Sequence, residues 1–349
     1  MENYQTIGRS INIILKLIYM LKLFKFMLAV IVLVILSHYY NLHKKEQGSR
    51  ELDKLDLIQE YLLNGESANS QKPILWIHNS YKINARNWDS FKSRNTKDLN
   101  QPYLYLCIKS IIKHCGKSFN VVLIDDNSFR KLIPDWTVSM NIITDPIENH
   151  MRNYALGKLL YYYGGMLVPC STIAVTDFKP VYDRGVNRHG CFTVEKVNRT
   201  STSELKQYFP TMKIMGCKRK NPLIKEFVQY LEALALNGRS TTNEDDFLGQ
   251  IDRWLYHKTA TKKMTLIDGK TFGIKTVCGN PVYINDLISQ KIIEFDKRFL
   301  VGIYIPAEEL LKRTNYQWFA RLSEKQALTA DTLISRQLLV SLGNPIACN

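Results

Sequence analysis

The chain lacks the features that define several common classes of protein. Its seven cysteines include no Cys-x-x-Cys pair and are odd in number, which argues against a zinc cluster and against a disulfide-stabilised scaffold. The net charge is +15, yet there is no block of five or more like charges, and the basic stretches lack interleaved aromatic residues. We therefore expect no specific nucleic-acid binding, whereas phosphate groups and anionic lipid head groups suit a mild basic excess.

One long apolar segment lies near the N-terminus. Its uninterrupted core is Phe26–Leu36, and extension over Leu17–Tyr40 gives enough helical rise to cross about 30 Å of hydrocarbon. Basic residues are slightly more numerous before this core than after it, which favours a cytosolic N-terminus. A cleaved signal peptide fits less well, because no small-x-small cleavage site follows the core, and a buried helix is the other alternative.

These patterns predict four regions along the chain. Residues 1–16 form an N-terminal tail, 17–40 a transmembrane helix, 41–71 a polar linker or stalk, and 72–349 a globular domain with a helical C-terminal part. The predicted topology is that of a single-pass type II membrane protein in a Golgi- or ER-type membrane or in a virion membrane. The sequon at Asn198 is consistent with this topology.

The first half of the globular region alternates between strand and helix patterns. Short apolar runs predict strands at Pro73–His78 and Phe119–Asp125, and "MLV" with "TIAV" after Gly165 predicts one further strand. Apolar stripes predict helices over Pro102–His114 and Glu148–Tyr163. This alternation indicates an α/β domain whose first strands are neighbours in one mainly parallel sheet, with ligands at the carboxyl ends of the strands.

The second half of the chain is more mixed. "HGCFTV" and "MKIMGC" predict strands, and "NPLIKEFVQYLEALALNG" predicts a helix with Asn221 as its N-cap and Pro222 at its first position. "TTNEDDFLGQIDRWLY" predicts another helix, and the stretch from Pro306 to Leu342 is helical and amphipathic. We expect a helical C-terminal part that completes the domain.

The order "PILWIH … VVLIDDNSF … LLYYYGGMLV" resembles the glycosyltransferase family with a sugar-binding Asp-x-Asp region, and the related capsular-polysaccharide-synthesis proteins. The resemblance covers about residues 72–185. It implies a GT-A-like (nucleotide-diphosphosugar transferase) fold, a nucleotide-sugar donor and a divalent cation, Mn²⁺ or Mg²⁺, that neutralises the leaving diphosphate. It also implies a glycan or protein acceptor.

The acids that such a site requires are absent from their expected positions. In register with Gly164-Gly165, Asp-x-Asp falls on Pro169 and Ser171, and the acid and arginine of the preceding helix fall on Asn153 and Leu156. Proline has no side-chain ligand and a neutral serine is a poor one, so we expect a turn without metal at Pro169–Ser171. The departures are similar to a branch associated with large DNA viruses.

Other residues are candidates for a divergent site. Asp125 and Asp126 end a strand and are candidates for nucleotide or metal binding, although Asp126 or Asn127 capping the next turn is the alternative. Asp245 and Asp246 are candidate catalytic residues, or acids that favour a helix dipole. The candidate donor-binding residues are His78, Asp125, Asp126, Arg152, Gly164, Gly165 and Ser171.

Two functions follow from this pattern. The first is a membrane-anchored glycosyltransferase with a degenerate or metal-independent site. The second is a catalytically inactive scaffold that serves as a structural or interaction protein, for example beside virion or capsid proteins at a membrane. Binding of nucleotide diphosphates, with and without metal, separates the two.

Overall fold

The computed structural model describes residues 58–63, 69, 71–79, 101–144, 147–199, 204, 206–236 and 249–343 of the 349-residue chain. The predicted transmembrane helix at 17–40 lies outside the described residues, as do the tail and most of the linker. Within the described residues no helix is long and apolar enough to span a membrane.

A six-stranded sheet forms the centre of a mixed α/β domain. Its strands are β1 (Ile74–His78), β2 (Asn120–Ile124), β3 (Gly165–Pro169), β5 (Cys191–Val197), β6 (Tyr208–Cys217) and β7 (Thr265–Ile267), and a two-stranded sheet pairs β4 (Thr172–Ala174) with β8 (Gly302–Tyr304). The order is β2-β1-β3-β6-β5-β7, with parallel pairs at β1/β2, β1/β3 and β5/β7 and with β6 antiparallel to both neighbours. The predicted adjacency of the first three strands is confirmed.

Helices cover both faces of the large sheet, which explains why β1 is buried along its length. Leu75 and Ile77 of β1 pack into a core with the first helix and with the helix after β4. Trp76 points to the other face, where its ring lies 5.5 Å from that of Tyr163. The helices are α1 (Tyr103–Cys115), α2 (Phe129–Leu132), α3 (Ile147–Tyr163), α4 (Lys179–His189), α5 (Pro222–Leu236), α6 (Gln250–Ala260), α7 (Ile284–Leu287), α8 (Ala307–Lys312), α9 (Gln317–Ala320), α10 (Glu324–Thr329) and α11 (Leu333–Leu342).

Local sequence signals locate several helix ends. The side chain of Asn221 accepts hydrogen bonds from the backbone N–H groups of Leu223 and Ile224, at 2.9 and 3.2 Å, so the predicted N-cap of α5 is confirmed. The C-terminal part is helical as predicted, and α7 to α11 enclose a second core with α1. Helices α4 and α7 and strands β7 and β8 were not predicted, since the predicted helical stretch begins at Pro306.

The stretch after Gly165 forms two strands instead of the single strand that the sequence predicts. β3 ends at Pro169, Cys170 and Ser171 form a turn, and β4 then leaves the main sheet to pair with β8. The turn itself was predicted. The change of partner was not, because both apolar runs are buried and the pattern carries no information on which strand each run meets.

Residues 61–63, inside the predicted linker, lie along the outer edge of β2. Leu62 forms an antiparallel bridge with Val122, and the N–H of Leu63 donates to the carbonyl of Val121 at 2.9 Å. Ile58, just before them, is fully buried. Residues 58–63 therefore belong to the globular body, because their apolar side chains cover an otherwise unpaired strand edge.

Candidate functional site

The carboxyl ends of β1, β2 and β3 lie at one edge of the sheet, as their parallel pairing requires. His78 ends β1, Asp125 and Asp126 follow β2, and Pro169 ends β3. The N-terminal turns of α3 add Arg152, which contacts Asp126, and Glu148, which contacts Arg152, to the same edge. We define the four side chains of His78, Asp126, Glu148 and Arg152 as the edge cluster.

Asp126 is the centre of the edge cluster. Its Oδ1 lies 2.8 Å from Nε2 of His78 and accepts from Nε of Arg152 at 2.9 Å, while its Oδ2 accepts from Nη2 of Arg152 at 2.7 Å. The His78 ring is stacked on Phe129, with an interplanar angle of 6°. The carboxylate is thus held on two sides by planar donors whose own positions are fixed by packing.

Arg152 is committed to the protein on all three guanidinium nitrogens. Besides its two bonds to Asp126, it donates from Nη2 to Glu148 and from Nη1 to the side-chain oxygen of Asn149 at 2.8 Å. Glu148 and Asn149 come from the preceding turn of the same helix, so α3 preorganises the arginine. Little donor capacity remains for a diphosphate, which was the role predicted for Arg152.

The charge states follow from these contacts. Burial alone raises the pKa of Asp126, but hydrogen bonds from Arg152 and His78 outweigh burial and hold this pKa well below its usual range. Burial lowers the pKa of Arg152, and the bonds to Asp126 and Glu148 reverse that effect and raise it. Asp126 and Arg152 are therefore both charged at neutral pH, and each neutralises the other.

Asp125 has a different role from that of its neighbour. Its Oδ1 accepts from the backbone N–H of Ser128 at 2.8 Å and also from the Ser128 hydroxyl, and its own N–H donates to Ser128 Oγ at 3.1 Å. Asp125 thus closes the turn that leads into α2, the capping role that the sequence assigned to Asp126 or Asn127.

The residues present do not fit a Mn²⁺ or Mg²⁺ site at Asp125 and Asp126. The two carboxylates bond to different partners, Asp125 to Ser128 and Asp126 to His78 and Arg152. The guanidinium already supplies the positive charge that a metal would bring to Asp126. No group of three or more potential metal ligands occurs within the described residues.

At the end of β3, the turn Pro169–Ser171 directs its polar groups into the protein. The buried Ser171 hydroxyl donates to the carbonyl of Ile305 at 2.7 Å, and the N–H of Ile305 donates back to the carbonyl of Ser171 at 3.0 Å. Burial raises the pKa of the Cys170 thiol to about 12. The turn therefore offers neither a ready ligand nor a thiolate nucleophile.

Gly164 and Gly165 lie at the opposite end of β3 from this turn. Both have positive φ, and a Cβ on Gly165 would be 2.2 Å from the carbonyl oxygen of Ile74. The Gly164 carbonyl accepts from the indole N–H of Trp76 at 2.9 Å. Packing of β3 against β1 thus accounts for Gly165, while a Cβ on Gly164 would be 2.7 Å from the backbone nitrogen of Arg219, just after β6. The predicted catalytic residues Asp245 and Asp246 lie outside the described residues.

A cavity that the sequence did not predict lies at the same edge of the sheet. β5 is parallel to β3, and after its carboxyl end Asn198 and Arg199 enter a cavity of about 300 Å³. The other lining residues are Tyr283, Ile284, Asn285, Arg313 and Tyr316. No local signal could have found this cavity, because three separate segments of the chain meet there.

No protein-family model matches the chain, and no curated protein matches it. One similar solved structure is the apo form of the glycosyltransferase GlyE from Streptococcus pneumoniae TIGR4, with 8% identity and a TM-score of 0.33. The match covers 57% of this chain and 46% of that chain, so it spans less than half of the GlyE structure.

Proposed function

We propose that this chain is a GT-A-like, glycosyltransferase-related protein in which an internal ion-pair cluster has replaced the metal-dependent donor site, so that the domain works as a structural or interaction module. The motif order around Tyr163-Gly164-Gly165 supports the relationship to glycosyltransferases. A GT-A domain retained without its reaction is consistent with function residing in the site and not in the fold.

One observation carries the proposal: the polar side chains predicted to bind the donor are engaged by the protein itself. Asp126 and Arg152 bond to each other at two points, and Ser171 bonds to the carbonyl of Ile305. A ligand at this edge would have to displace an ion pair whose partners are largely buried. Such an exchange costs free energy that a metal–diphosphate contact would have to exceed.

Calorimetry with a set of nucleotide diphosphates and nucleotide-sugars tests the proposal. We expect Mn²⁺ to add no binding beyond that measured in EDTA, for wild type and for Asp125→Ala alike. The uncharged Asp126→Asn variant should behave in the same way. Metal-dependent binding that disappears in Asp126→Asn, or any sugar transfer or sugar release by the wild type, would refute the proposal.

Metal-independent sugar transfer is the second candidate function. The cavity beside Arg199 and Arg313 favours it, because two guanidinium groups at the carboxyl edge of the sheet can hold an anionic substrate without a cation. Asp245 or Asp246 would then serve as the base. Nucleotide-sugar turnover in EDTA that is lost in Asp245→Asn or Asp246→Asn would support this candidate over the first.

Membrane anchoring through residues 17–40 is part of the proposal, with the globular domain on the side opposite the N-terminus. The length of the apolar segment supports an anchor. Partners would be glycans, proteins or virion components at that membrane. Carbonate extraction of the full chain and of a variant lacking residues 1–45 tests the anchor, and equal release of the two proteins would contradict it.

A further inference from the structure

The cavity after β5 has the lining of an anion site. Two arginines from different segments reach it, Arg199 after β5 and Arg313 after α8. The guanidinium of Arg199 lies over the Tyr283 ring at 5.2 Å from its centroid, and that of Arg313 lies over the Tyr316 ring at 5.8 Å. A planar cation over an aromatic face keeps its edge N–H groups directed outward.

The charges in the cavity do not cancel. Arg199 forms an ion pair with Glu309, whereas Arg313 forms no salt bridge within the part of the chain that the structure describes. Lys213 pairs with Glu308 next to them. These groups comprise three cations and two carboxylates, so the guanidinium of Arg313 gives the cavity excess positive charge.

The carboxylate of Glu309 lies close to the cations of this cavity, and they influence its pKa. Burial raises the pKa of Glu309, and the nearby positive charges of Arg199, Arg313 and Lys213 oppose that increase. An anion that enters the cavity would compete with this carboxylate for the arginines. The Glu309 carboxylate thus pairs with Arg199 when no ligand is bound. Removing its charge would leave Arg199 free to bind the ligand.

From this geometry we propose that the cavity lined by Arg199, Arg313, Tyr283 and Tyr316 binds a phosphate monoester. Paired guanidinium groups match the oxygens of a phosphate through parallel N–H donors. The side chain of Asn285, which is exposed on the cavity wall, offers a further donor to the phosphate or to the group it carries. The volume of about 300 Å³ suits a phosphorylated monosaccharide or the head group of phosphatidic acid.

This site is independent of the edge cluster. It uses residues after β5, at α7 and after α8, whereas the edge cluster uses residues after β1 and β2 and in α3. It requires neither a metal nor sugar transfer. Failure of nucleotide-sugars to bind at the edge cluster therefore leaves the phosphate site untouched.

Calorimetry on the full-length protein in an uncharged detergent tests the proposal with inorganic phosphate as the first probe. The ionic strength is held constant with sodium chloride, because surface attraction alone would be screened by salt. We expect Arg313→Gln to weaken phosphate binding about tenfold, in line with the loss of one charged hydrogen bond. Glu309→Gln should strengthen binding several-fold, an effect that misfolding cannot mimic.

The control is Arg184→Gln, which removes an exposed arginine from α4 and the same charge from the protein. It should bind phosphate as the wild type does. Absence of phosphate binding in the wild type, equal weakening in Arg184→Gln and Arg313→Gln, or weaker binding in Glu309→Gln would each overturn the proposal.

The source of the phosphate is distinguished with two further probes. Glucose 1-phosphate is compared with glucose, and a short-chain phosphatidic acid is compared with the matching phosphatidylcholine. Tighter binding of glucose 1-phosphate than of inorganic phosphate indicates a soluble sugar phosphate, and tighter binding of the phosphatidic acid indicates a lipid head group. Either result supports the proposed site if Arg313→Gln weakens binding of that probe. If Arg313→Gln leaves the affinity unchanged, the proposal is overturned.

Discussion

Arg152 and Asp126 form a two-point ion pair in which Nε and Nη2 of the arginine donate to separate carboxylate oxygens at 2.9 and 2.7 Å. The pair joins α3 to the end of β2, and its side chains are only 11% and 17% exposed. At this depth the attraction is weakly screened, and either residue without its partner would leave a poorly hydrated charge.

Removal of the arginine should therefore destabilise the domain. We expect Arg152→Ala to lower the free energy of unfolding by about 3 kcal/mol, because Asp126 and Glu148 would both lose their cation. Arg152→Lys should restore only part of this, since an ammonium group cannot form the planar two-point contact. Urea unfolding followed by circular dichroism measures both variants.

The matched control is Lys179→Ala, which breaks the exposed ion pair with Asp183 on α4. We expect a loss of less than about 0.5 kcal/mol from that change. Equal losses in Lys179→Ala and Arg152→Ala would contradict the structural role of the edge cluster.

The stabilisation by Asp126 should depend on pH. The pKa of Asp126 is lower in the folded protein than in the unfolded chain, because hydrogen bonds from Arg152 and His78 outweigh burial. Its contribution is fully present above the ordinary carboxyl pKa of about 4 and is lost as the pH falls from there toward the folded pKa.

The measurement is the difference in unfolding free energy between wild type and Asp126→Asn over a series of pH values. This difference cancels the titration of the other carboxylates, which the two proteins share. We expect this difference in unfolding free energy to be constant near neutral pH and to become smaller below about pH 4. A difference that stays constant down to pH 2, or widens, would show that the carboxylate is not held in its charged form.

Gly165 should tolerate no side chain. It has φ +95°, and a Cβ would lie 2.2 Å from the carbonyl oxygen of Ile74. Gly279 has a similar φ of +87° but open space around the same position. We expect Gly165→Ala to cost about 3 kcal/mol or more, and Gly279→Ala about 1 kcal/mol from the backbone alone.

Thermal unfolding of the two variants separates the cost of the steric clash, which only Gly165→Ala has, from the cost of a positive φ, which both variants have. Similar midpoints for Gly165→Ala and Gly279→Ala would show that β3 can move away from β1 without loss, contrary to the packing described here.

Thiol reactivity should distinguish the buried cysteines from the exposed one. Burial raises the pKa of Cys115, Cys170 and Cys191 to about 12, and only the thiolate attacks a disulfide reagent. In a Cys348→Ser background we expect fast labelling of the exposed Cys278 alone at pH 8, with the others reacting after unfolding. Mass spectrometry of the labelled peptides checks this, and fast labelling of the half-buried Cys170 would contradict its raised pKa.

The parts of the fold that were predictable depend on neighbours in the sequence. The Asn221-Pro222 pair specifies a helix start through contacts within three residues, and the cap is formed as expected. The parallel arrangement of β1, β2 and β3 followed from apolar runs separated by helices. The pairing of β4 with β8 was not predictable. β8 lies far along the chain, and an apolar run does not indicate which strand it pairs with.

The candidate site was predictable to a similar extent. The predicted strand ends placed His78 and Asp126 at one edge of the sheet. Arg152, in a predicted helix, was a candidate for the same site. The sequence could not show that Arg152 would bind Asp126 instead of a ligand, because that outcome depends on side-chain directions at the start of α3. Arg313 and Arg199 were missed for a related reason, since their meeting depends on how loops after β5 and α8 are arranged.

The close approach of Gly165 to Ile74 shows that part of the Gly-Gly motif is explained by strand packing. The glycine pair belongs to the motif on which the proposed relationship to glycosyltransferases rests, yet Gly165, at the amino end of β3, is required by the close approach of β1. Any protein that builds its sheet with this spacing would need glycine at the position of Gly165, with or without a substrate. Searches that rely on Gly-Gly therefore detect a way of joining strands, and the chemistry has to be identified at the other end of the strand.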